Sequence, residues 1–165
     1  MQKFKRPESV LVVIFCQTTM RCLMLQRQDD PCFWQSVTGS LEDNELPYST
    51  AIREVFEETG IDIIRQDLTL IDANHIVEFE IFPQFRHRYA PDVKKNKEHW
   101  FYLPLLYEIT PTLTEHLAYQ WLKFGDAANL TLSPNNSEAI GKIEYLIKMS
   151  KEVKNENESM CHRSI

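Results

Sequence analysis

The sequence predicts an α/β fold in which a mixed β-sheet lies between helices, and three observations carry that prediction. Glu8 to Cys16 (ESVLVVIFC) is a continuous β-branched apolar run, the pattern of a central strand buried on both faces. Val77, Phe79 and Ile81 alternate with Glu78 and Glu80, the period-two mark of a half-buried strand. Residues 46–59 and 137–148 instead repeat their apolar side chains at helical spacing. No internal repeat or low-complexity linker divides the chain, so residues 1–149 read as a single domain with helices on both faces of the sheet.

Taken in order, the first strand turns through the polar Gln17 to Met20 into Cys22 to Arg27, which makes a hairpin. Gln28 to Cys32 is a loop, and Phe33 to Thr38 reads as one strand running into Gly39. In the helix that follows, Pro47 suits a first-turn position and Gly60 the end, where positive φ is commonly needed. Ala51, Val55 and the Ile52/Phe56 pair give it an apolar stripe. Leu68 to Ala73, Ile76 to Phe82 and His99 to Leu106 read as three further strands, and the lysine-rich stretch 91–97 as an exposed loop. Glu115 to Leu122 precedes a short helix over Gly125 to Leu130. Ser137 is a candidate N-cap for the helix carrying Ile140, Ile143 and Ile147. From Ser150 the composition turns polar and charged, which predicts a frayed or disordered tail over 150–165.

With 165 residues the chain is long enough for one domain with a real core and short for two. No apolar run approaches the roughly 20 residues a bilayer span requires, which argues against a membrane partner. The run after MQKFKRP is too short and too β-branched for a signal peptide, so a cytoplasmic location is expected. Cys16, Cys22, Cys32 and Cys161 show no metal-site or framework spacing and read as free thiols. A net charge of −6 argues against long nucleic acids, whose backbones call for a basic patch. Small anions remain admissible, because a bound cation and a few local lysines or arginines can invert the field inside a cleft.

Chemistry concentrates in Gly39 to Ile61, GSLEDNELPYSTAIREVFEETGI. At 3.6 residues per turn, Glu54, Glu57 and Glu58 fall within about 100° of helical arc. Like charges so placed destabilise a helix by a few tenths of a kcal/mol per pair, about what one i,i+4 repulsion costs. A hard divalent cation relieves that repulsion, and magnesium prefers carboxylate oxygens, water and substrate phosphates. Glu-rich helix faces are usually solvated surface, but here the acids sit in a fixed frame. Gly39 is followed after five residues by Glu45 and after seven more by Arg53-Glu54-Val55-Phe56-Glu57-Glu58-Thr59-Gly60-Ile61. That frame resembles the Nudix hydrolase signature at every specified position.

The resemblance extends through KRP at 5–7, LMLQR at 23–27, DDPCFWQSVTGS at 29–40, VEFEIF at 77–82, FRHRYAP at 85–91 and TEHLAYQWL at 114–122. These stretches look like the bacterial branch of the family that acts on dihydroneopterin triphosphate and on dATP. It implies an α/β/α sandwich and hydrolysis of dihydroneopterin triphosphate to the monophosphate and pyrophosphate in folate biosynthesis. The alternative it leaves open is a pyrophosphohydrolase acting mainly on dATP or non-canonical nucleotides. A catalytically silent binding module would have lost glutamates from the signature, whereas Glu45, Glu54, Glu57 and Glu58 are all present.

By the same resemblance Glu54 and Glu58 would ligate magnesium, or manganese in its place, with Glu57 a further ligand or a group just outside the ligands. Arg53 would orient a glutamate from the loop side at Glu45, and Glu115 would be an additional metal ligand or the general base. Lys5, Arg27 and Thr38 would contact the triphosphate. Phe79, Glu80, Ile81 and Phe82 would wall the heterocycle pocket, with Phe79 or Phe82 stacking and Glu80 or backbone groups bonding an aminopyrimidine edge. A monomer or weak dimer is expected. After Leu122 the match weakens, with a one-residue insertion and Pro134 where an aromatic or polar pocket residue is expected. Asp43-Asn44 replaces the usual glycine-containing turn before Glu45, a place where asparagine's tolerance of φ > 0 suffices.

Overall fold

The computed structural model describes the backbone of residues 3–163 and the side chains of residues 3–157. Strand β1 (Glu8–Cys16) is the axis of a seven-stranded mixed sheet. Along its whole length β1 pairs in parallel with β6 (Lys95–Leu105), which explains why its side chains are apolar on both faces. β5 (Ile71–Glu80) lies outside β6, antiparallel to it.

The other edge of β1 is shared, and this divided edge shapes the molecule. At the hairpin end β1 meets β2 (Arg21–Arg27) only through Phe15↔Cys22 and Cys16↔Arg21, and Met20 closes the turn with φ of 57°. At the other end β4 (Val37–Ser40) takes the place beside Ser9 to Val12. β2 meanwhile carries β3 (Trp34–Gln35) and β7 (His116–Lys123). The single strand expected over 33–38 is therefore two short ones that change partners at Ser36. Asn136 holds the change: its Oδ1 accepts the Ser36 N–H at 2.8 Å and its Nδ2 donates to Ser36 Oγ at 2.9 Å, all buried.

Helix α1 (Pro47–Thr59) covers one face of the sheet, over a core that includes Val10, Val12, Leu25, Val37, Ala51, Val55, Phe101 and Leu103. Helices α2 (Phe124–Leu130), α3 (Pro134–Gly141) and α4 (Ile143–Arg163) lie at the other, over Leu11, Val13, Phe15, Trp100, Tyr102, Ala139, Ile140 and Ile143. α1 begins with Pro47 in its first turn and stops at Gly60, whose φ of 81° takes the left-handed conformation. Phe56, expected on the apolar stripe, is exposed, because it lies about 140° around the helix from Ala51.

Several boundaries differ from expectation, each for a local reason. Leu68 to Ala73 and Ile76 to Phe82 are not two strands; β5 runs through, with an irregularity between Asp72 and Ile76. Asn74 absorbs it at φ of 50°, its N–H bonded to Asp72 Oδ1. β6 begins at Lys95, inside the expected loop, because Lys95 and Lys97 face solvent while Asn96 and Glu98 are buried. The helix expected over 137–148 is broken at Lys142, and its N-cap is Ser133, whose hydroxyl accepts the Asn136 N–H. The frayed tail expected from Ser150 is helical through Arg163, since the stretch has no glycine or proline and is rich in lysine and glutamate. Cys16 and Cys22 are buried free thiols and Cys32 an exposed one, while Cys161 lies outside the described side chains. Among the described residues, no helix is long and apolar enough to cross a membrane.

Replacing Asn136 with alanine strands the Ser36 N–H in the interior, which costs about 2 kcal/mol for a buried unsatisfied donor. Urea unfolding of Asn136→Ala should show a lower midpoint with an unchanged slope.

Candidate active site

The Glu54 side chain of α1 lies so close against β4 that any side chain at residue 39 would have to displace it. A Cβ built on Gly39 would lie 2.1 Å from Glu54 Cδ, so the glycine is there to admit that carboxyl, not to supply positive φ. Arg53 then ties the helix to its surroundings. Its Nε and Nη2 grip both oxygens of Glu45 at 2.8 Å each, Nη2 also donates to the Ser40 carbonyl at 3.1 Å, and Nη1 donates to Glu54 at 2.8 Å and Glu57 at 3.1 Å. Thr50 and the Glu42 N–H add donors to Glu45. The Arg53 hydrogen bonds pull the Glu45 carboxyl down to about 2, outweighing its partial burial.

Glu58 is the buried member of the set. Seven residues after Ala51, it returns to within about 20° of the same helical direction and so points toward the core. Its Oε1 lies 3.3 Å from His116 Nε2, and its Oε2 has no hydrogen-bond partner among the described residues. Burial, then the charges of Glu54 and Glu115, hold its carboxyl well above the usual range. Burial likewise pushes Glu54 up to about 7 against the pull of Arg53. Glu57 is exposed and Glu115 lines the same cleft just before β7.

A buried carboxylate oxygen without a donor, beside a second carboxyl, has the chemistry of a site for a hard cation. Among the described residues no three His, Cys, Asp or Glu side chains close into a full ligand set. A magnesium-type ion does not require one, since it keeps waters and takes substrate phosphates as ligands. Glu58 and Glu54 fit such an ion, with Glu57 and Glu115 at the margin.

From there the cleft, about 900 Å³, crosses the divided edge of β1 to the α3 side of the sheet. Cations stand at the crossing. Lys5 is held by its N–H to the Arg88 carbonyl at 2.9 Å, and its ammonium is lowered by burial, then by Arg88 and Arg27. Arg27 lies 4.1 Å over the Phe85 ring, makes a two-point bond with Asp29 and donates to Gln35, which donates in turn to Thr38 Oγ1. Arg88 pairs with the same Asp29. Beyond them Phe33, Phe82 and Phe85 pack edge to face with centroids 5.5 to 6.2 Å apart.

The structure thus gathers Lys5, Arg27, Thr38, Glu54, Glu57, Glu58, Arg53, Glu115, Phe79, Ile81 and Phe82 around one cleft. Glu80 is excluded: it is an exposed position of β5, opposite Lys95, because alternation turns it away from Phe79. Sequence reasoning missed Arg88, His116, Phe33 and Phe85. All four stand inside the stretches that carry the resemblance, but nothing in their spacing marked them.

A NUDIX domain matches residues 5–142. The chain belongs to the Nudix family. It is 57% identical over 137 residues to the dihydroneopterin triphosphate diphosphatase of Escherichia coli, covering 83% of this chain and 91% of that one. It is 50% identical over 149 residues to the Haemophilus influenzae protein of the same name, covering 90% and 93%. The solved structure of the E. coli dihydroneopterin triphosphate pyrophosphohydrolase superposes with a TM-score of 0.84 at 56% identity, covering 85% of this chain and 96% of that one. This Nudix domain is accordingly a hydrolase of a family that generally uses divalent metal ions and phosphate-bearing small molecules.

The raised carboxyls give a signed pH dependence. A folded carboxyl with its value above that of the unfolded chain binds protons more tightly, so stability is greatest below about 4.5 for Glu54 and falls as pH rises through about 7. Glu45 acts oppositely, but only below 4.5 as pH falls through about 2. In a chelator the melting temperature of this Nudix domain should rise on going from pH 7.5 to 5.5, and saturating magnesium should shrink that rise; an identical pH response with and without magnesium would remove the ion from this pair.

Proposed function

We propose that this Nudix domain hydrolyses dihydroneopterin triphosphate to dihydroneopterin monophosphate and pyrophosphate, in folate biosynthesis, with magnesium as its ion. The observation that carries the reading is one cleft with three successive chemistries: an acidic end on α1, a cationic crossing and an aromatic-walled chamber. That order suits a metal-bound triphosphate ending in a flat heterocycle. The pterin is favoured among such substrates by the relatives of 50% and 57% identity that bear its name.

Glu58 and Glu54 would hold the ion, with manganese an alternative occupant. When bound, the ion neutralises phosphate oxygens and lowers the pKa of a coordinated water. Arg53 keeps Glu54 turned into the cleft through the Nη1 bond and carries none of the substrate. Lys5 and Arg27 bind the phosphates through charge-assisted bonds, and Thr38 has a hydroxyl at the same crossing. The Glu115 carboxylate receives the proton of the attacking water as the phosphoanhydride opens and pyrophosphate leaves. The chain is read as a monomer or weak dimer acting in the cytoplasm.

Glu115→Gln should cut turnover by about a hundredfold or more, the scale of a general base, with an unchanged circular dichroism spectrum. Near-normal rates would remove Glu115 from the mechanism. Side-by-side kcat/KM values for the pterin triphosphate and dATP decide the substrate. A preference of about a hundredfold for dATP, equivalent to about 2.7 kcal/mol, would overturn the pterin reading in favour of a nucleotide pyrophosphohydrolase.

A further inference from the structure

The α3 side of the cleft contains a buried carboxyl that neither the metal end nor the phosphate crossing uses. Glu98 is 6% exposed and Asn96 3%, and both line the cleft from β6, with Trp100 on the same face. Glu98 Oε1 accepts the Trp100 indole N–H at 3.0 Å, which anchors the carboxyl in one orientation. Its other oxygen makes no hydrogen bond among the described residues. Asn96 is anchored too: its Nδ2 donates to Ser9 Oγ at 2.6 Å, leaving Oδ1 buried with no partner among the described residues. Across the strand pair from Asn96 stands Phe79, also in the cleft. An anchored, half-used carboxyl beside an unpartnered amide oxygen is a built acceptor array, since buried acceptors are otherwise satisfied within the fold.

Acceptors arranged this way call for adjacent donors. A ring N–H next to an exocyclic amine, the 2-amino-4-oxopyrimidine edge shared by pterins and guanine, supplies three hydrogens in one plane. The carboxylate can take the ring N–H and one amine hydrogen, and the Asn96 oxygen the second. A 6-aminopurine offers a ring lone pair where the carboxylate also has one, so the same array repels it. We infer that Glu98, assisted by Asn96, reads the heterocycle in this cleft and selects triphosphates whose ring carries an N–H beside an exocyclic amine. The inference rests on the proposed function in taking the substrate to be a heterocyclic triphosphate, and it makes Glu98 a specificity-determining residue that leaves the hydrolysis to α1.

Glu98→Gln distinguishes this role from a structural one. The glutamine carbonyl can keep the Trp100 bond, while its amide turns a donor toward the ligand where an acceptor is needed. The kcat/KM ratios of pterin triphosphate to dATP and of dGTP to dATP should each fall by about tenfold or more, the scale of one charged hydrogen bond lost. Equal slowing of all three substrates, with both ratios within about twofold of wild type, would overturn the inference. If Glu98→Gln does not fold, Asn96→Ala, which leaves the Glu98–Trp100 bond in place, gives the same reading: a several-fold fall in the ratios supports it and unchanged ratios overturn it. A wild-type enzyme that releases no pyrophosphate from pterin triphosphate would overturn the proposed function alone, and the dGTP to dATP ratio would still decide Glu98.

Discussion

The Arg53 guanidinium joins three pieces of chain that would otherwise repel or drift apart: the Glu45 loop, the Ser40 carbonyl of β4 and the Glu54/Glu57 face of α1. An exposed i,i+4 pair with Glu57 alone would contribute only a few tenths of a kcal/mol. The two-point bond to Glu45 is different in kind, because it is partly buried, bidentate and supported by Thr50. It draws the loop onto the helix and aims one end of the guanidinium at Glu54. Gly39 completes the arrangement by leaving room for that carboxyl against β4. Position and charge of the acidic end thus follow from one cation and one absent side chain.

The divided edge of β1 does for the rest of the cleft what Arg53 does for the helix. A sheet in which β2 stayed paired with β1 to its end would wall the α1 face off from the α3 face. Because β2 leaves after two residue pairs and β4 takes over, residues from both faces line a single space. The partner change falls at Ser36, held from α3 by Asn136. A long ligand can therefore lay phosphates on one side of the sheet and a ring on the other.

How much of this the sequence disclosed depended on how local the signal was. The α/β class, the mixed sheet, the β1–β2 hairpin and the ends of α1 were legible, since periodicity, Pro47 and Gly60 are short-range signals. Asn96 and Glu98 were hidden because a strand whose inward residues are polar does not read as a strand, and its first residues looked like a lysine-rich loop. Glu80 was misplaced for the opposite reason: a contiguous stretch was carried over whole, although alternation must turn one of any two neighbours outward. Within the signature, angular spacing grouped three glutamates but did not separate the buried Glu58 from the exposed Glu57. That distinction needs the direction of the core, which only Ala51 and Val55 define.

The site also explains how a chain of net charge −6 can be suited to a polyanion. Its charges are sorted into two crowded poles. Burial, then the charges of Glu54 and Glu115, tightens the hold of Glu58 on its proton, and burial, then Arg88 and Arg27, lowers Lys5. Each pole is unfavourable by itself, and each is relieved by a ligand of opposite sign. Glu54 and Glu115 already favour the Lys5 charge, so the poles partly compensate across the cleft. A cation alone would satisfy the carboxylates and withdraw that compensation from Lys5; a triphosphate alone would satisfy the cations and add charge beside the glutamates. On the proposed reading the two together would relieve both poles at once, which would make ion and phosphate binding mutually reinforcing.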